Sequence, residues 1–230
     1  MSKSQQSFDS LFEINNFNDD FLLIRSKSVS DLAIFGQTIF ERKFDFIDEV
    51  IVTEFEVCLK VNHLFSTPDI EQLKNVGLRA KTIRRTYQIP VYFSDHEDWK
   101  AIEVFTGLKR AKIIPKLLET KYTVAMFGFL PGFTYINGLD KAFHVPRKSV
   151  PAKYVEANSL AIGGKYLGIY AIDSPGGWHV IGKIPISVFD IQSLPPVQFN
   201  PGDLIELKVI DLNEFNLIKE KNNSLQEYNA

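Results

Sequence analysis

The segment from Phe127 to Pro185 carries nine of the chain's thirteen glycines. Within it stand two proline–glycine segments, Gly128-Phe129-Leu130-Pro131-Gly132-Phe133 and Ser174-Pro175-Gly176-Gly177-Trp178. Proline holds φ near about −65°, and glycine accepts the φ > 0 corner that other residues resist. Each pair therefore predicts a tight turn with main-chain amides left open. Aromatic residues flank both pairs. Open amides beside aromatic rings make a recess suited to a small polar ligand. The functional site is expected here, not in the first half of the chain.

The same punctuation sets the architecture. After Asp140, short β-type segments recur at Ser159–Ile162, Gly168–Ile172, Trp178–Ile181, Ile186–Phe189 and Leu204–Val209. Short strands broken by Gly and Pro at such spacing predict a barrel or sandwich. Before them, Val91-Tyr92-Phe93 reads as a strand, Asp98–Phe105 and Ala111–Leu118 as helices, and Val124–Phe127 as a strand entering the first turn. The opening region reads differently. Residues 1–8 form a polar, disordered start. Phe12–Ile14 and Phe21–Ile24 predict one hairpin, and Phe46–Val52 with Phe55–Val61 a second. Helical spacing runs over Val29–Phe40. A second helix is expected over Pro68–Ala80, with Thr67 at its N-cap. The fold class is α+β: a ββαββα domain over 1–88, a barrel domain over 89–212 and a polar tail over 213–230, read as a frayed helix.

Composition removes several function classes. The net charge of −2 offers no electrostatic case for nucleic acid or an anionic membrane. Cys58 is the only cysteine, so neither a disulfide framework nor a cysteine metal cluster is available. That favours a reducing compartment, the cytoplasm. No apolar run approaches the ~20 residues of a membrane span. No metal site is expected.

Pro146-Arg147-Lys148-Ser149-Val150-Pro151 sets two cations between two prolines. A guanidinium presented from so stiff a loop grips a carboxylate or phosphate with two parallel hydrogen bonds. The alternative is a solvated loop arginine. Phe129 and Phe133 bracket Pro131; they are either core rings or the walls of the recess. Strand alternation sets Trp178 and Val180 on one face and His179 and Ile181 on the other. His179 is either a general base or a structural histidine, since no nucleophile stands beside it. The sequence has no Gly-Lys-Ser/Thr phosphate loop, no dinucleotide-binding glycine run, no His-Glu-x-x-His and no Gly-x-Ser-x-Gly elbow.

Taken in order, Gly128–Phe133, Gly138-Leu139, Pro146-Arg147, Gly168-Ile169-Tyr170, Ser174–Trp178, Ile181-Gly182, Pro196 and Gly202-Asp203 resemble a known family. It contains the B-type subunit of bacterial 5-oxoprolinase, the kinase-inhibitor proteins of sporulating bacteria and the subunit 1 type domain of allophanate hydrolase. The resemblance covers about Ile89 to Ile210. It implies a cyclophilin-like β-barrel after the small α/β domain, and a C-type partner subunit of related barrel architecture. It also implies ATP-dependent opening of the 5-oxoproline lactam to glutamate. In that reading Arg147, Phe129, Pro131, Phe133, Tyr170, Gly176, Gly177, Trp178 and His179 form the substrate site, with Arg147 on the carboxylate. The kinase-inhibitor branch implies instead a module that blocks a sensor histidine kinase. A third reading is a subunit that only scaffolds its partner.

The chain departs from the family pattern in several places. Ala152 stands where a second arginine is common, Glu156-Ala157-Asn158 where Pro-Ala-Gly is usual, and Leu167 and Ile184 where threonines are common. Leu118 takes the place of a histidine. These changes are expected to strip polar groups from the cleft.

Overall fold

Strand alternation and helical spacing build the first half of the chain. The computed structural model describes residues 8–26, 29–76, 84–221 and 225–229. The chain divides into two units, Met1–Ile83 and Arg84–Ala230. In the first, a short helical turn α1 (Phe8–Leu11) precedes β1 (Phe12–Asn18), β2 (Phe21–Ser26), α2 (Val29–Arg42), β3 (Ile47–Val52), β4 (Glu56–Val61) and α3 (Thr67–Lys74). The strands form one antiparallel sheet in the order β1-β2-β4-β3. Val57, Leu59 and Val61 alternate onto its buried face, as a half-buried strand requires. Leu32, Phe35 and Ile39 of α2 meet them there at helical spacing. Burying a side chain such as Phe35 contributes about 2 kcal/mol.

Helix α3 is capped by Ser66, not Thr67. Asp69 reaches back to accept from Ser66 N at 2.9 Å, which moves the start by one residue. The helix stops at Lys74 with Asn75 as its C-cap, short of the expected end at Ala80. The expected disordered start falls largely on residues 1–7, and the last residues of the expected helix on 77–80. Both lie outside the described residues.

The second unit contains β5 (Thr86–Val91), α4 (Asp98–Thr106), α5 (Arg110–Glu119), β6 (Tyr122–Phe127), β7 (Thr134–Asn137), β8 (Ala152–Val155), β9 (Ser159–Gly163), β10 (Tyr166–Tyr170), β11 (Ser174–Gly176), β12 (His179–Lys183) and β13 (Leu204–Val209). Two helices follow, α6 (Leu212–Lys221) and α7 (Leu225–Tyr228). Seven strands form one sheet in the order β12-β9-β10-β7-β6-β13-β5, and β8 pairs with β11 separately. The seven-stranded sheet curls until its two ends meet. Tyr92, just past β5, exchanges two main-chain hydrogen bonds of 2.9 Å with Lys183 at the end of β12. At that seam a Cβ on Gly182 would stand 2.7 Å from Tyr92 O, so glycine is needed for closure. That single bridge shortens the exposed sheet edge and leaves the rest of the outer side of β5 outside the ladder. The molecule is thus α+β, with a barrel in its second unit.

Two faces of this sheet are buried, by different residues. Ile89, Val124, Ile136, Leu160, Ile162, Leu167, Ile169, Ile181 and Ile205 fill the barrel interior. Phe133, Ala161, Tyr170, Trp178 and Val180 form a second cluster. The period-2 alternation along β9 and β10 separates them, with Leu160 and Ile162 in one cluster and Ala161 in the other.

Three expectations are corrected. Ile186–Phe189 is not a strand. Its Ile186 and Val188 are buried in the barrel interior, and only an isolated bridge joins Phe189 to Val197. The polar tail is not frayed where it is described. Leu225 is fully buried against the barrel core, and the Asn229 side chain both accepts from Gln88 N at 2.6 Å and donates to Gln88 O at 3.2 Å. One apolar residue and one amide that satisfies a free strand edge anchor it. Leu167 and Ile184 do not face a cleft; both belong to the barrel interior, where an aliphatic side chain is what burial favours.

Candidate functional site

The first Pro-Gly segment makes the expected turn. Phe133 N donates to Leu130 O at 3.1 Å, with Pro131 and Gly132 at the two corners and Gly132 at φ +76°. That is a type II turn. Part of the expected open-amide surface is taken up within the loop: Gly128 N donates to Phe133 O and Leu130 N to Gly128 O. Phe129 also takes a left-handed conformation, φ +66°, which costs a non-glycine residue about 1 kcal/mol. The strain leaves its ring 62% exposed at the rim of the recess.

The second Pro-Gly segment is not a turn. Ser174-Pro175-Gly176 is strand β11, paired with β8, and neither Gly176 nor Gly177 has positive φ. Gly176 is needed for another reason: a Cβ there would stand 2.2 Å from the Tyr170 hydroxyl. Pro175 is tolerated because a two-stranded ribbon leaves main-chain groups free of ladder duty.

The turn delivers Phe133 into the centre of an aromatic cluster. Its ring centroid lies 4.9 Å from both Tyr135 and Tyr170, 5.2 Å from Trp178 and 5.5 Å from Phe129, all edge-on. Edge-to-face pairs at this spacing are favourable beyond their burial. Trp178 lies on two strand glycines; a Cβ would come within 2.3 Å of its ring from Gly163 and 2.5 Å from Gly168. The glycine density of this region therefore serves close packing of rings on strands as much as turns.

Around this cluster opens a recess of about 320 Å³. Seven of the residues expected at the site line it: Phe129, Phe133, Arg147, Tyr170, Gly176, Gly177 and Trp178. Tyr135, Lys148, Pro151 and Pro175 line it as well. The strand alternation of β7, which puts Tyr135 on the face of Phe133, was the signal that could have found Tyr135. Nothing in sequence spacing marked Lys148 apart from Arg147. Pro131 shapes the turn and does not line the recess.

Arg147 sits with its guanidinium 5.5 Å from the centre of the Trp178 ring. No ion pair holds it among the described residues. Lys148 is held differently: its Nζ is 2.7 Å from Oδ1 of Asp98, and Asp98 is itself buried. Val180 N donates to the other oxygen of Asp98 at 2.8 Å. The loop bearing both cations is pinned twice more. Lys148 N donates to Gly177 O at 2.7 Å, and the His179 ring bonds Pro146 O at 3.0 Å. A carbonyl only accepts, so His179 Nε2 carries the proton. His179 is buried, holds this loop and does not line the recess.

Burial raises the Tyr170 phenol above its usual range; the Trp178 main-chain N–H and the charge of Arg147 partly offset this. Tyr170 thus stays a neutral hydroxyl beside a cation. Of the departures from the family pattern, Ala152 packs against the aromatic cluster. Leu118 packs on the barrel interior, and Asn158 occupies a left-handed turn position, φ +60°. Among the described residues no His, Cys, Asp or Glu group could hold a metal ion, and no helix is long and apolar enough to cross a membrane.

Relatives named as the B-type subunit of 5-oxoprolinase resemble the chain. The one from Bacillus subtilis (strain 168) is 32% identical over 155 residues, which is 66% of this chain and 65% of the relative. The one from Haemophilus influenzae is 36% identical over 127 residues, 54% of this chain and 60% of the relative. The chain thus spans less than two thirds of the length of these curated relatives. A crystal structure of PH0987, a conserved uncharacterized protein from Pyrococcus horikoshii, is similar with TM-score 0.55 and 29% identity over 88% of this chain and 100% of that one. Residues 34–199 match the family described as carboxyltransferase domain, subdomain C and D. With that match covering most of its length, the chain belongs to this carboxyltransferase-domain family, among whose members it is similar to the B-type subunits of 5-oxoprolinase.

Proposed function

We propose that the chain is a B-type subunit of a 5-oxoprolinase-like assembly and that the aromatic recess holds the ring of 5-oxoproline. The observation that carries this reading is Arg147: a guanidinium without an ion pair among the described residues, laid on Trp178 at a small aromatic recess. A five-membered ring with one carboxylate matches it in charge and in kind. The carboxylate takes the guanidinium fork, and the ring meets the faces and edges of Phe133, Tyr135 and Trp178. The names of the relatives support the same substrate class.

A lactam is resonance-stabilised, and its opening needs activation of the exocyclic carbonyl oxygen; ATP would supply that as phosphoryl donor. In this proposal ATP belongs to the assembly with a C-type barrel partner. The recess fits that division: it has no phosphate-binding glycine loop, and one of its two cations is already held by Asp98. The residues of this chain bind the carboxylate, orient the ring and exclude water from one face.

Titration of the full chain with 5-oxoproline tests the reading. Arg147→Ala should cost about 2 kcal/mol, roughly thirtyfold in affinity. Unchanged affinity and unchanged turnover of the assembled complex would remove the assignment. A pull-down that returns a sensor histidine kinase in place of a barrel partner would move the recess to the inhibitor reading.

A further inference from the structure

The two cations at the recess are adjacent in sequence but differ in electrostatic state. Arg147 has no ion pair among the described residues, whereas Lys148 is matched by a carboxylate at 2.7 Å. An unmatched cation favours an anion. A matched pair is neutral overall and gains little from a second full negative charge, yet its ammonium still has donors to give. An ammonium carries three N–H groups, and Asp98 Oδ1 engages one. Lys148 is one of the residues lining the recess, and its side chain keeps 17% of its surface exposed.

We propose that Lys148 is a second substrate-contacting residue, donating to the neutral ring carbonyl of the ligand whose carboxylate Arg147 holds. This rests on the reading of the recess given above and deepens it. The substrate class becomes a small monoanion bearing a neutral carbonyl, rather than a dicarboxylate or a phosphate. Asp98 is the positioning residue. One oxygen holds Lys148 Nζ, and the other accepts from Val180 N at 2.8 Å. The carboxylate is therefore fixed by strand β12 and cannot swing with the lysine. The Lys148 main chain is tied to Gly177 O at 2.7 Å, so the donor is held from both ends. A donor fixed before the ligand arrives is worth most where charge builds on a carbonyl oxygen, because it needs no reorganisation.

The test compares 5-oxoproline with cyclopentanecarboxylate, which keeps the ring size and carboxylate and lacks the carbonyl. Both are titrated calorimetrically into the full chain. The wild type should prefer 5-oxoproline by about tenfold, the worth of one charged hydrogen bond. Lys148→Met should lower that preference to within about twofold and leave affinity for cyclopentanecarboxylate in place. Lys148→Met alone strands a buried carboxylate, so the Asp98→Asn/Lys148→Met double variant is measured beside it. A third readout needs no substitution. In wild-type chain labelled with 13C-lysine, the Lys148 ε-carbon resonance should move with 5-oxoproline and stay with cyclopentanecarboxylate. Equal movement with both ligands, or a folded variant that keeps the wild-type preference, overturns the role of Lys148 and leaves Arg147 and the recess standing. Failure of wild-type chain to bind either carboxylate overturns the recess reading itself, and this inference with it.

Discussion

Two segments of the second unit share a Pro-Gly pair, and they do different things. Leu130-Pro131-Gly132-Phe133 closes a type II turn with Gly132 at φ +76°. Ser174-Pro175-Gly176 runs extended as β11 beside β8. The difference lies in what each glycine meets. At Gly132 the backbone itself demands the left-handed region. At Gly176 the backbone is ordinary, and the demand comes from the Tyr170 hydroxyl, 2.2 Å from where a Cβ would stand. A Pro-Gly pair permits a turn; the neighbouring strand decides whether one forms. The two segments meet the same aromatic cluster, one by delivering Phe133 and the other by leading into Trp178.

Substitutions can break this contrast. Phe133→Ala should cost most, about 4 kcal/mol in a denaturant melt, because it empties the hub where four ring contacts converge. A loss under about 1 kcal/mol, twice the usual scatter of surface changes, would mean that the cluster closes over the gap and is not the organising element. Gly132→Ala should follow at about 3 kcal/mol, combining left-handed strain with a Cβ only 2.7 Å from the Phe189 ring. Gly176→Ala, with no left-handed term, should cost about 2 kcal/mol and displace Tyr170 into the recess, lowering ligand affinity with it. If Gly176→Ala proved as costly as Gly132→Ala, strain would have to be sought at both segments.

High pH probes the contact between Tyr170 and the second segment. Burial raises the Tyr170 and Tyr122 phenols above the ordinary value of 10.0. The folded chain therefore keeps protons that the unfolded chain releases, so their contribution is whole below pH 10 and is lost as pH rises beyond it. Stability should fall as pH rises above 10, each phenol contributing at most about 1.4 kcal/mol per pH unit. Tyr170→Phe should flatten the part of the slope owed to the recess, and an unchanged slope would place the whole effect elsewhere. The smallest effect belongs to Gly177→Ala. Its φ is not positive, and the nearest atom to a new Cβ is 3.8 Å away. The melt should shift by no more than about 0.5 kcal/mol. A large loss there would restore the turn reading of the second segment.

Much of this molecule is legible in residue order alone. Helical spacing of Leu32, Phe35 and Ile39 and the alternation through Val57, Leu59 and Val61 are local patterns, and they produce α2 and β4 where they occur. The turn at Pro131-Gly132 is equally local, since both φ angles are set by the residues themselves. So is the alternation that sends Trp178 and Ile181 to different clusters. Contacts between distant residues decided the rest. Gly163 and Gly168 are glycines because an indole from position 178 lies on them, and no window around either position holds that information. Leu167 and Ile184 read as lost cleft groups until the closed sheet turned them inward. Lys148 became distinct from Arg147 only through Asp98, fifty residues earlier in the chain. Local preferences choose strand, helix and turn; which side chain a glycine shelters, and which cation stays unmatched, follow from how the sheet closes.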